Sequence, residues 1–379
     1  MFADRLDTVS AEKKMRLLVL LATIGLIFCT DPLDDAEKYI ERECPCDPSK
    51  LWLDIVIAID TSIGMTEEGL TQVLADIATV FDTTKFAQGE GHHSRISIVT
   101  YADNATTRYG LKDIESNEDL MNKIWNIENG DQAVSNLKIE EDENDAKQLA
   151  YQIKISGTDI IVVPFDQGGK PNHLIRLKEI ATPGYYFPNT ILNLANEIQQ
   201  ALCTTNCFCK RQWTQYQNTF GESTVKFGEC VRIGGIDANW VSAKRACARM
   251  GNGQGHLANI FDLSKHNFVA QLFKNDYRVE PPYIYHIGLS YNQEKKAYVW
   301  DRKAGSEPLP LDGGTFKKWN KGFPVSPENI KDYGCVVSAQ DGTSFELGWQ
   351  DINCRTVPKH YICQMETCDT TNYCPNINK

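Results

Sequence analysis

The run Leu53-Asp54-Ile55-Val56-Ile57-Ala58-Ile59 is almost unbroken in branched apolar residues, the pattern of a strand buried on both faces. It ends in Asp60-Thr61-Ser62-Ile63-Gly64. After that turn Leu70, Val73, Leu74, Ile77, Val80 and Phe81 recur at helical spacing. Residues 95–101 (RISIVTY) read as a second strand, 117–127 as a helix and 159–164 as a third buried strand. Helices follow near 173–181 and 190–202. Strands alternating with helices predict a doubly wound parallel α/β sheet. Between Ile127 and Ile160 the rhythm breaks: the stretch is polar and acidic, with Glu140-Glu141-Asp142-Glu143 and no apolar run ending in an acidic turn.

The last third has a different rhythm. Trp240, Ala243, Ala246 and Cys247 share one helix face, and residues 255–260 form a turn and strand. Residues 262–275 predict a second helix with Phe268, Val269, Leu272 and Phe273 inward. Then come His286-Ile287-Gly288-Leu289, Val299-Trp300, Phe316, Trp319, Gly322 and Pro324, Gly348-Trp349-Gln350-Asp351, and Tyr361-Ile362-Cys363. Cys209, Cys230, Cys247, Cys335, Cys354 and Cys363 thread through this segment, which holds five of the seven tryptophans.

Length and composition set the outer bounds. A chain of 379 residues exceeds one ordinary core, so two domains are expected. A net charge of −11 without a basic run argues against nucleic acid or an anionic lipid surface as partner. Lys13, Lys14 and Arg16 precede an apolar run, 17–28, and then Cys29-Thr30-Asp31-Pro32, which reads as a secretory leader over 1–30. Met15 offers an alternative start, with the preceding residues as an upstream extension. No stretch is long enough to span a bilayer comfortably, so the mature chain is expected to be secreted and extracellular.

Cysteine count agrees with secretion. Thirteen is awkward in an oxidising compartment, and removing Cys29 with the leader leaves an even set of twelve. The pairs Cys44/Cys46 and Cys207/Cys209 have one residue between them, closer than structural zinc prefers. Asn104-Ala105-Thr106 is a glycosylation acceptor suited to a surface loop.

The strand followed by D-T-S-x-G and a helix resembles a von Willebrand factor A domain, expected over 51–202, with Tyr185-Tyr186-Phe187 fitting that family's final strand. Members carry D-x-S-x-S, whose carboxylate and hydroxyls hold a divalent cation at the carboxyl ends of the strands. Oxygen donors there suit Mg²⁺. Asp60 and Ser62 match, but Gly64 replaces the second serine. The resemblance also implies a central strand where the acidic stretch stands, so this copy is expected to lack a central segment. Asp60 then serves as a helix cap or turn residue, and no functional metal site is expected.

The segment 209–365 resembles a C-type lectin domain, an α+β fold, with His286 standing in for a tryptophan of the family. The resemblance implies disulfides Cys209–Cys230, Cys247–Cys363 and Cys335–Cys354. The second closes a loop of over a hundred residues, worth roughly 4–5 kcal/mol in the chain-entropy model. Cys44, Cys46, Cys203, Cys207, Cys368 and Cys374 remain, in an arm (31–50), a linker (203–208) and a tail (366–379), with about 15 connectivities open. One bridge is expected from the Cys44/Cys46 pair to Cys203 or Cys207, because domain termini often lie close.

In sugar-binding members, Ca²⁺ is held by a Glu-Pro-Asn or Gln-Pro-Asp triplet, a carboxylate before the third cysteine, and the Asn-Asp of W-N-D. Ca²⁺ needs six to eight hard oxygens. Here the triplet reads Phe323-Pro324-Val325, the carboxylate position Tyr333-Gly334-Cys335 with Asp332 nearby, and W-N-D reads Trp349-Gln350-Asp351. Only Asp351 matches cleanly. A degenerate Ca²⁺ site is therefore expected, with Phe323, Pro324, Asp332, Gln350 and Asp351 as the candidate ligand-binding set and Asp60, Ser62 and Asp351 as residual metal positions. Neither Ca²⁺ nor Mg²⁺ is expected as a firm cofactor. Trp319 and Phe316 are expected in the core and Phe323 exposed.

Three functions compete. The resemblance implies a secreted recognition protein binding glycans or microbial surfaces, and the domain order is similar to a group of secreted nematode proteins linked to innate defence. The second reading is a metal-independent adhesion or matrix module that binds protein. The third, an enzyme using Asp60, Ser62 and His92 or His93, fails on the motif. A nucleophile elbow wants G-x-S-x-G, and Asp60 stands where the first glycine belongs. No enzyme is expected.

Overall fold

The computed structural model describes residues 39–374 apart from 63, 103, 131–142, 168–170, 221–222, 313–314, 326–330 and 343. The leader reading falls on residues 1–38, outside the described residues. Among the described residues no helix is long and apolar enough to cross a membrane.

The first domain is built on β1 (Asp54–Asp60), parallel to β2 (Arg95–Tyr101), with β3 (Ala105–Tyr109) antiparallel on the far side of β2. Asn104 is exposed in the turn between β2 and β3. Helix α1 (Glu67–Val80) starts where the Thr66 hydroxyl accepts the Gly69 N–H, and α2 (Asn117–Ile124) where Ser116 does the same for Asp119. Their apolar faces supply Leu70, Leu74, Val80, Leu120 and Ile124 to a core shared with Ile59, Ile96 and Ile98. Helix α3 (Glu143–Ile155) follows the acidic stretch. Helix α4 (Leu194–Thr205) closes the domain and adds Leu202 and Cys203 to the core.

Three details differ from the sequence reading. The segment 159–164 forms no ladder and makes a single parallel bridge, Val162 to Tyr186. The helix near 173–181 is a 3-10 helix, Pro171–Glu179. Strand β1, which reads as buried on both faces, is the edge of its sheet, with Val56 63% exposed. Among the described residues no strand pairs with that edge.

The second domain is a mixed sheet of nine strands. Its main path runs β11 (Leu347–Asn353), β10 (Tyr333–Gln340), β7 (Ile284–Asn292), β12 (His360–Glu366), β5 (Ser223–Ile233) and β4 (Thr214–Phe220). β6 (His256–Leu257) joins β12, while β8 (Ala297–Trp300) joins β7 and pairs β9 (Leu309–Pro310). Helices α5 (Trp240–Met250) and α6 (Leu263–Lys274) begin at Asn239 and Asp262, whose side chains accept N–H groups of their first turns. Trp300 and Trp349 are fully buried and meet edge to face at 5.5 Å. His286 is buried too, its Nε2 3.0 Å from the Ala238 carbonyl.

Six disulfides pair all twelve cysteines beyond Cys29. Cys209–Cys230, Cys247–Cys363 and Cys335–Cys354 lie within the second domain. Cys44–Cys207 and Cys46–Cys203 tie the arm to the linker twice, where one bridge was expected, and Cys368–Cys374 closes the tail. The arm also buries charge: the Lys265 ammonium lies between the carboxyl groups of Glu41 and Glu229, and Arg42 pairs with Asp369 at 2.9 Å. The Trp52 indole donates to the Asp369 carbonyl at 3.0 Å. Arm, linker and tail thus form one knot between the two sheets.

Candidate functional site

The loop bearing Phe323-Pro324-Val325 packs against β11 through Trp319, which bridges to Trp349, and through two backbone bonds. Trp349 N–H donates to Lys318 O at 2.6 Å and Asn320 N–H to Trp349 O at 2.9 Å. Trp319 and Phe316 are half-buried rather than core, and both lean edge-on against the Trp349 ring. Trp319 also contacts the Tyr298 ring at 5.1 Å. Phe323, expected exposed, is half-buried, while Pro324 and Val325 are exposed, Val325 by 42%. The Phe323–Pro324 peptide is cis.

Asp351 is the centre of this region and is 0% exposed. Its Oδ2 accepts the Tyr298 hydroxyl at 2.7 Å, its Oδ1 accepts the Val325 N–H at 2.9 Å, and its carbonyl accepts the Tyr333 hydroxyl at 2.7 Å. Burial and the neighbouring Asp351 carboxylate push the Tyr298 phenol well above its ordinary range, so it stays protonated and keeps donating. Hydrogens from an O–H and an N–H therefore point at the two oxygens that a cation would need. Asp332 turns elsewhere: in the left-handed region at φ 57°, its carboxylate accepts Arg355 Nε at 2.9 Å and its carbonyl accepts Cys354 N–H at 2.7 Å. Gln350 is half-buried opposite Val337 of β10.

These residues do not fit Ca²⁺. One buried carboxylate, already holding two donors, falls far short of six oxygens. The structure brings Asp351 to the Phe323–Val325 loop and leaves Asp332 in a separate ion pair. Tyr298 was missed by sequence reasoning; it sits one residue before Val299-Trp300 and carries no motif of its own.

At the head of the first domain, Ser62 N–H donates to Asp60 Oδ1 at 2.9 Å, and Ser62 is buried. Asp60 is thus a turn residue, and Thr66 is the helix cap. Gln167 reaches over the loop: its Oε1 accepts Thr66 N–H at 2.9 Å and its Nε2 donates to Gly64 O at 3.2 Å. A neutral amide therefore stands over the D-x-S-x-G turn. Among the described residues no group of three or more His, Cys, Asp or Glu side chains is placed to hold a metal ion. His92 bonds Lys50 O at 2.8 Å, ahead of β1, whereas Asp60 ends that strand, about 20 Å away at strand rise. The triad imagined with His92 is not assembled.

Comparison with known proteins fits this architecture. The von Willebrand factor type A domain matches residues 54–140, and the C-type lectin domain matches residues 236–365. Snaclec 3 of Sistrurus catenatus edwardsii is 32% identical over 167 residues, covering 43% of this chain and 89% of that protein. The chain belongs to the C-type lectin superfamily. C-type lectin domain-containing protein 160 of Caenorhabditis elegans is 25% identical over 374 residues, or 88% of this chain. The chain spans 56% of the length of that nematode relative. Among solved structures, a Ca²⁺-independent C-type lectin from Saxidomus purpuratus is 20% identical over 41% of this chain and 93% of its own, at a TM-score of 0.30. Human lithostathine is 21% identical over 42% and 92%, at a TM-score of 0.31. This C-type lectin superfamily member thus carries a von Willebrand factor A domain ahead of its lectin fold.

Proposed function

We propose that the chain is a secreted, non-catalytic recognition protein whose lectin domain binds carbohydrate or microbial-surface ligands without calcium, in the service of innate defence. The observation that carries this reading is Asp351, buried and held by the Tyr298 hydroxyl and the Val325 N–H. The stretch Phe323-Pro324-Val325 is thereby tied through its Val325 N–H to a protein carboxylate whose other oxygen the Tyr298 hydroxyl satisfies, an arrangement that calls for no cation. Exposed Pro324 and Val325 beside half-buried Phe323 and Trp319 give an apolar and aromatic surface of the kind that stacks on sugar rings. Twelve cysteines in six disulfides support an extracellular setting, and exposed Asn104 is open to glycosylation.

The test is a glycan array probed with the full chain in Ca²⁺ and again in EDTA. Binding that survives EDTA and weakens in Phe323→Ala supports the reading. Binding abolished by EDTA overturns the calcium-independent mechanism. Silence on glycans, with capture of a protein ligand instead, overturns the carbohydrate reading in favour of an adhesion module.

A further inference from the structure

The first domain has an opening in its sheet, well away from the lectin loop. Leu53 C=O accepts Arg95 N–H and Thr61 N–H donates to Tyr101 C=O, both at 2.9 Å, so the odd-numbered residues of β1 turn their backbone groups to β2. Alternation along a strand turns the N–H and C=O of Val56 and Ala58 the other way. Across the opening, Val162 N–H donates to Tyr185 O and Val162 O accepts Phe187 N–H, both at 2.9 Å. The same alternation turns the backbone groups of Ile161 and Val163 back toward β1. Between the two edges lies a cavity of about 700 Å³, lined by Ile55, Val56, Ile57, Ile161, Val163 and Ile198 among others. Val56 is 63% exposed and Val163 38% exposed.

A lipid or other small apolar molecule would fill this volume but satisfy none of the backbone groups on either wall. Each such group, once buried without a partner, forfeits the hydrogen bonds that water gave it. An extended polypeptide satisfies both walls and the apolar lining together. We propose that the opening is an acceptor site for a β-strand of a partner protein, which enters between β1 and residues 160–163 and completes the sheet. The lining selects branched apolar side chains. Asp54 and Asp159 at the cavity already pair with Arg95 and Lys226, which leaves Asp76 to select lysine or arginine at an end of that strand.

The probe is a fluorescent peptide, Lys-Val-Ile-Val-Ala-Val-Lys, titrated into the full chain and read by anisotropy. Its counterpart is N-methylated at alternate backbone nitrogens. Val56→Pro deletes an N–H on the cavity side only, where the β2 ladder does not use it. Val163→Asp places a charge on the opposite wall. Saturable one-to-one binding is expected, weakened at least about tenfold by either substitution and by N-methylation. Hydrogen exchange at Val56 and Ala58 amides should be fast in the free chain and slow in the complex, with Ile57 slow in both. Should Val56→Pro fail to fold, the exchange measurement on the unaltered chain still decides. Absence of binding, or binding indifferent to Val163→Asp and N-methylation, overturns the proposal. So does protection of Val56 and Ala58 without peptide, since another part of the chain or a second copy then fills the opening. Native mass spectrometry tells those two apart.

Discussion

The half-buried Tyr298 donates its hydroxyl to Oδ2 of the fully buried Asp351 at 2.7 Å. The phenol satisfies one oxygen of a buried carboxylate and ties β8 to β11. Removing it in Tyr298→Phe leaves one carboxylate oxygen short of a donor, at a cost of roughly 1–3 kcal/mol. Urea unfolding should show that loss. Millimolar CaCl2 should leave the midpoint of the unaltered chain where it was, because a single carboxylate makes no calcium site. A calcium-induced rise in that midpoint would contradict the geometry of Asp351.

Glu41, Lys265 and Glu229 make a second buried electrostatic unit. Burial raises the Glu41 carboxyl to about 8, with Glu229 adding repulsion, while Lys265 holds its own proton and keeps Glu229 ionised against burial. Between the unfolded value of 4.5 and the folded value of about 8, the native chain holds a proton that the unfolded chain has released. Stability from this group is therefore fully present below pH 4.5 and falls as pH rises through 8, by up to about 1.4 kcal/mol per pH unit. Glu41→Gln should flatten that decline between pH 5 and pH 8 in urea titrations. An unchanged slope would mean that Glu41 is ionised in the folded protein.

Much of the lectin fold was legible because its constraints are local and periodic. Trp240, Ala243 and Cys247 repeat at helical spacing and do lie on the buried face of α5. Partnerships between distant positions were not legible. Nothing near Tyr298 announces Asp351, fifty-three positions away. Likewise nothing in the sequence singles out Lys265, and only the tertiary arrangement of Glu41 and Glu229 explains its burial. Apolar runs also report composition rather than neighbours. The branched residues of β1 signal a buried strand whether or not a flanking strand exists; among the described residues none pairs with that edge, and Val56 is exposed.

Two buried histidines bring the opposite pH response. Burial lowers His266 and His286 from 6.5 to about 4, and each keeps a 3.0 Å bond to a carbonyl, Leu347 and Ala238. A depressed folded value means the stability is fully present above pH 6.5 and is lost as pH falls toward 4, by up to about 1.4 kcal/mol per pH unit for each ring. Its effect is clearest in a Glu41→Gln background, where the opposing slope is gone. His286→Asn should make the acid loss shallower between pH 6.5 and pH 4.5. NMR titration of either ring with a midpoint near 6.5 in the folded state would show that water reaches it.

The paired tethers Cys44–Cys207 and Cys46–Cys203 span 163 and 157 residues of nearly the same loop. With one in place, the other closes only the short circuit through 44–46 and 203–207. Chain entropy then assigns about 2 kcal/mol to removing either one, but roughly 7 kcal/mol to removing both, since the last tether alone holds the long loop. Urea unfolding without reductant of Cys46→Ala/Cys203→Ala, Cys44→Ala/Cys207→Ala and the fourfold variant should show that excess over additivity. Equal and additive losses would indicate that each bridge acts through native packing at its own end of the knot. The excess, in contrast, would show that the two bridges share a single loop-closure entropy.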